Sequence, residues 1–180
     1  YQTLTYTGAS LSLGASTLSL SGGGAFANTN SLILDNEASK LLLSSITVES
    51  VSTSVDNSLG VEVLSDSTIN SLSISNITPV SIATGKTLSG AIGVTSGSIK
   101  LTDTGTVAST VTMSGGTTLD ADNSLTVSGA LTQSGDITID VADTSTLAYT
   151  GSPISLGVST LTLSGGGAFA NTNSLILDNE

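Results

Sequence analysis

The side chains with chemical potential in this chain are almost all carboxylates. There are 14 acidic residues, three lysines (Lys40, Lys86 and Lys100), no histidine and no cysteine. Without His or Cys, the common nucleophilic triads and thiol mechanisms are excluded. The His/Cys zinc sites go with them. No arginine is present to clamp a phosphate or a carboxylate. Asp120 and Asp122 lie two apart, and Asp136 and Asp140 four apart, so each pair can share one face of an extended strand. Glycoside cleavage needs two carboxylates about 5–10 Å apart, one with a raised pKa. It also wants aromatic platforms, and three tyrosines with two phenylalanines supply little of that. The chain therefore reads as a non-enzyme, with no catalytic and no cofactor-binding residues assigned.

The remaining use for the acids is weak Ca²⁺ coordination. Asp35-Asn36-Glu37 and Asp120-Ala121-Asp122-Asn123 bring oxygen ligands close together in sequence, as Ca²⁺ prefers. Asp35, Glu37, Asp120 and Asp122 are the candidate ligands, and Asp178-Asn179-Glu180 copies the first segment. None matches an EF-hand loop or a calcium roll, and a solvated turn is the plainer alternative. Ser21-Gly22-Gly23-Gly24 and its copy at 164–167 lack the Gly-Lys-Ser/Thr continuation of a phosphate loop, so they read as tight corners.

The scaffold must be regular. Ser and Thr make up 61 of 180 residues, only 9% are charged and 3% are aromatic. An average soluble protein is about 25% charged. A core of Leu, Ile, Val and Ala alone suits a narrow interior where like stacks on like. The net charge of −11 opposes binding to nucleic acid or anionic lipid. No apolar run is long enough for a membrane-spanning helix, so neither nucleic acid nor membrane insertion is expected.

Internal repetition is the strongest signal. Residues 6–37 and 149–180 are 143 apart and agree at 27 of 32 positions. Ser21–Glu37 is identical to Ser164–Glu180, in polar as well as apolar residues. Packing alone does not demand that, but duplication of a unit does. Within the unit, apolar residues alternate in short triplets: Leu18–Leu20, Leu32–Leu34, Val61–Val63, Leu72–Ile74, Val80–Ile82, Ile92–Val94, Ile99–Leu101, Val111–Met113, Leu125–Val127, Ile137–Ile139, Ile154–Leu156 and Leu161–Leu163. A period of two marks strands with one inward face, and the Gly, Asn, Asp and Ser between them mark turns. Only 38–45 has modest helical character. No Asn-Gly or Asp-Gly hairpin turn occurs, which weighs against an antiparallel sandwich or barrel.

These observations predict an all-β, right-handed parallel β-helix (β-solenoid) running through residues 1–180 as one continuous excerpt of a longer chain. Strand starts at 99, 111, 125 and 137 suggest about 24 residues per coil, hence about six coils per 143-residue repeat. Phe26 and Phe169 should fill a wider corner of the interior. Asn28/Asn30 and Asn171/Asn173 should sit in corner turns with stacked amides.

The triplets, the Ser/Thr/Gly filling in segments such as 116–129, and the missing cysteine resemble the β-solenoid shafts of large bacterial exoproteins. Filamentous-haemagglutinin-like adhesins and autotransporter passenger domains are the families concerned. The resemblance implies secretion to the bacterial cell surface and a structural or adhesive role. The implied partners are copies of the chain, end to end or side by side, and surface glycans or proteins of a host or neighbouring cell. Two other functions use the same fold. An ice-binding solenoid would need regular Thr-x-Thr ranks. A tailspike-like glycan hydrolase or lyase would need paired acids in a groove.

Overall fold

The computed structural model describes residues 2–177. Its regular structure is all strand, paired in parallel throughout, forming a β-solenoid of about eight turns. Each coil has three strand positions, which form three sides of the rod. Coil 1 (residues 3–21) sets the pattern, with strands Thr3–Tyr6, Leu11–Ser12 and Thr17–Ser21. Coils 2 to 8 occupy residues 25–44, 47–63, 67–82, 87–101, 106–121, 125–141 and 146–164. Ala168–Asn171 and Leu175–Ile176 begin a ninth. In coils 3 to 5 the first two positions merge into one long strand, Thr47–Thr53, Ser67–Ile74 or Thr87–Val94.

Two sheets run along the rod. One has 13 strands and carries the first side together with most of the second. The other has eight strands and carries the third side. Register is set by which residues point inward, because a one-residue slip would turn every apolar side chain outward. Leu11, Leu32, Val51, Leu72, Ile92, Val111 and Leu131 are consecutive register partners and form one aliphatic column. On the third side Leu18, Leu41, Val61, Val80, Leu101, Ala121 and Val141 do the same. Buried polar groups are tied along the axis. The Ser39 hydroxyl donates to the Gly14 carbonyl at 2.6 Å, and Thr78 donates to Thr53 at 3.1 Å.

The coil is tighter than the strand spacing in the sequence suggested. Register partners are about 21 residues apart, so the 143-residue offset, which carries Leu4 to Leu147, spans seven coils instead of six. The cause is the third strand position. The starts at 99, 111, 125 and 137 sample every second position and skip Thr106–Val107, Thr117–Ala121 and Leu131–Gln133. Two such steps cover four positions, which is one and a third coils. The segment with modest helical character is the strand Lys40–Ser44, because Leu41 and Leu43 fall on inward positions already lined by their neighbours.

Candidate functional surfaces

Asp120 and Asp122 come together on the third side of coil 6. Lys100, one coil earlier, lies 3.3 Å from Asp120 and 3.1 Å from Asp122. Asp140 follows Asp120 in register one coil later. Partial burial pushes the Asp120 carboxyl above its ordinary range. Lys100 opposes that shift, and the charges of Asp122 and Asp140 add to it. The Lys100 ammonium is held above its usual pKa, chiefly by its hydrogen bond to Asp122. Asp140 accepts a hydrogen bond from the Ser164 hydroxyl of the next coil. Asp136 accepts one from the Thr160 amide at 2.7 Å. The acids of this side thus bond to neighbouring coils along the axis.

Asp35 sits elsewhere, in the turn after Leu32–Leu34. The Ser12 hydroxyl and the Gly14 amide both donate to its carboxylate, and these bonds lower its pKa. The Glu37 side chain is exposed. Its backbone carbonyl accepts two bonds from Ser58, at 2.8 Å and 2.7 Å. The structure therefore pairs Asp120 with Asp122 and keeps Asp35 and Glu37 in a separate turn. No cluster of three or more His, Cys, Asp or Glu residues poised for a metal occurs among the described residues. Of the second copy of this turn, 178–180 lie outside them.

Cavities open to solvent among the described residues include two of note. One of about 620 Å³ lies at the first coil, between Leu4, Leu20, Phe26 and Ile46. The other, of about 290 Å³, follows the corner from Gly23 to Ser89. Neither is lined by the Asp120–Asp140 pair. Thr118, Thr138 and Thr162 form a row of hydroxyls on the third side, but the row beside it reads Lys100, Asp120, Asp140 and Ser164. A double rank of threonines is therefore not formed there.

Phe26 and Phe169 each stack on a tyrosine one coil earlier, Tyr6 at 6.5 Å and Tyr149 at 6.3 Å. The asparagines bond to neighbouring backbone more than to one another. Asn28 donates to the Asn30 and Ser50 carbonyls, and Asn30 to that of Gly8. The hydroxyl of Tyr149 was not legible as a structural group in the sequence. It links Leu131 to Ser152, and only the paired spacing of Tyr149 and Phe169 hinted at a corner.

The fold defines the class: a parallel β-solenoid built from a duplicated unit. No protein-family profile matches the chain, no curated protein matches it, and no solved structure matches it.

Proposed function

We propose that this chain is a structural or adhesive shaft segment of a long extracellular bacterial fibre, of the kind found in filamentous-haemagglutinin-like adhesins and autotransporter passengers. One observation carries the reading: the 143-residue duplication equals a whole number of coils. A copied unit of seven coils returns the strands to their sides, and the pairing of Tyr6 with Asn28 recurs as that of Tyr149 with Asn171. The rod then lengthens with no new interface to invent, and stability accumulates between neighbouring coils. A duplication of a fractional number of coils would place a strand at a corner. The acidic surface, at −11, suits a large solvent-exposed assembly. The uniform Ser/Thr exterior suits a spacer that presents other groups.

Electron cryomicroscopy of the purified protein tests this. Thin rods with an axial spacing of about 4.8 Å, and a longer repeat of about 34 Å from seven coils, are expected. Compact particles with lateral grooves would overturn the reading and direct attention to glycan cleavage by the paired acids.

A further inference from the structure

The corner that leads from the third side of one coil to the first side of the next varies along the rod. Its turns are three or four residues long at 22–24, 64–66, 83–86, 102–105, 122–124, 142–145 and 165–167. At Ser45–Ile46 the turn is made by two residues. The chain closes it by placing Ser45 in the left-handed region, at a φ of 55°. A short turn between longer neighbours leaves a notch. The cavity of about 290 Å³ lies there, in the body of the rod, between Gly23 and Asp66.

Hydrogen-bonding groups line the notch. Thr47, Thr68 and Ser89 are successive register partners on the first side, so their hydroxyls rise in a rank about 4.8 Å apart. Each is half-buried and alternates with a buried neighbour, which turns the rank outward. Ser45 and Asp66 are exposed at the rim. One oxygen of Asp66 accepts the Thr87 amide at 2.9 Å, which holds the carboxylate in place. The other oxygen has no partner among the described residues. Ile46, 9% exposed, gives the floor a small apolar spot. No lysine is among the described residues that line the cavity.

We propose that this notch binds one ring of a neutral saccharide. A sugar ring carries vicinal hydroxyls, each able to donate and accept. Asp66 accepts from them, and the rank of Thr47, Thr68 and Ser89 both donates and accepts. The C–H face of the ring meets Ile46. The volume of about 290 Å³ lies just below the roughly 300–1,000 Å³ of ordinary small-molecule sites, which suits a single ring. Anionic sugars and phosphates are opposed by Asp66 and by the net charge of −11. With no aromatic platform in the lining, one notch holds its sugar weakly. In the shaft reading the notch recurs at the same corner once per seven-coil unit, and weak contacts then add as avidity. The proposal names the ligand class for the adhesive reading, and for its avidity it rests on that reading.

Saturation-transfer NMR of the purified chain with free glucose, galactose, mannose and N-acetylglucosamine tests this. At least one of these sugars should receive saturation, with amide shifts confined to Ser45, Asp66, Thr68, Ser89 and their neighbours. N-acetylneuraminic acid, which is anionic, should not compete. Thr68→Val removes one hydroxyl and keeps the shape of the side chain. Asp66→Asn removes the charge and keeps an acceptor for the Thr87 amide. Each should weaken binding roughly three- to tenfold with Tm unchanged. Thr138→Val, on the third side, should leave binding as it was. No saturation of any of the four sugars, shifts spread elsewhere, or binding indifferent to both variants would overturn the notch and leave the shaft reading standing. Equal binding of putrescine, abolished by Asp66→Asn, would overturn it in favour of a cation site. Compact particles in micrographs would overturn the shaft reading, and the avidity with it, while sugar binding at the notch would stand.

Discussion

The Tyr149 hydroxyl accepts a hydrogen bond from the Leu131 amide at 3.0 Å, across one coil, and donates to the Ser152 carbonyl at 2.6 Å. Tyr149 is buried, so this group completes the second-side corner where Leu131–Gln133 begins. Tyr149→Phe keeps the ring stack on Phe169 and orphans a buried N–H, a loss of about 1–3 kcal/mol. Thermal unfolding should show it as a lower Tm. Tyr6→Phe, at the half-buried counterpart, should cost much less. Equal losses at the two sites would contradict this role.

Two carboxylates should titrate in opposite directions. Hydrogen bonds from Ser12 and Gly14 favour ionised Asp35, so its folded pKa is lowered. That contribution is present above the unfolded pKa, about 3.9, and is lost as pH falls through the folded value. Burial raises the folded pKa of Asp120. Between the unfolded and folded values the native state then holds a proton that the unfolded chain has released, so stability falls as pH rises through that window. Carboxyl NMR titration should place the Asp35 midpoint below the ordinary value and that of Asp120 above it. Asp120→Asn should remove the loss on the alkaline side of that window, and Asp35→Asn the loss in acid. A reversed order of midpoints would refute both assignments.

Eleven of the twelve alternating triplets read from the sequence fall wholly on strands, and Ile154–Leu156 runs one residue past the strand Ile154–Ser155, because a side chain that must point inward is visible as a period of two. Missed were strands with one strong apolar residue, such as Thr106–Val107, and strands masked by polar neighbours, such as Thr117–Ala121. In a three-sided coil those losses shift the apparent period, which is why the coil read as about 24 residues. The approach of Lys100 to Asp120 and Asp122 was equally hidden. It depends on a register between residues 20 apart in sequence, which no local pattern encodes. The duplicated segment was fully legible, since identity needs no structure to be seen.

The aliphatic column through Leu72 should behave as a chain of nearest neighbours. Leu72 is fully buried between Val51 and Ile92. Leu72→Ala should cost about 2–5 kcal/mol, and it weakens the rod at its middle. Urea unfolding followed by circular dichroism should change from one transition toward two, as the coils on either side uncouple. Leu11→Ala, half-buried at the first coil, should cost less and leave a single transition. A single sharp transition in Leu72→Ala with unchanged midpoint would show that the column does not carry the cooperativity.

Gly90 marks the bend between the first and second sides of coil 5, where the register with Ser67–Ile74 shifts between Gly90 and Ile92. Its φ is 116°, outside the range of L side chains, and a methyl there would collide with the Ile69 carbonyl oxygen. Gly85 also has positive φ, 70°, but a methyl at that turn would meet open space. Gly85→Ala should therefore cost only the left-handed strain, about 1–2 kcal/mol. Gly90→Ala adds a backbone clash inside the sheet, so coils 4 and 5 must separate locally. It should lower the Tm well beyond Gly85→Ala and speed amide exchange in both long strands. Similar losses from the two substitutions would mean that the bend tolerates a side chain and that the coils can slide to admit one.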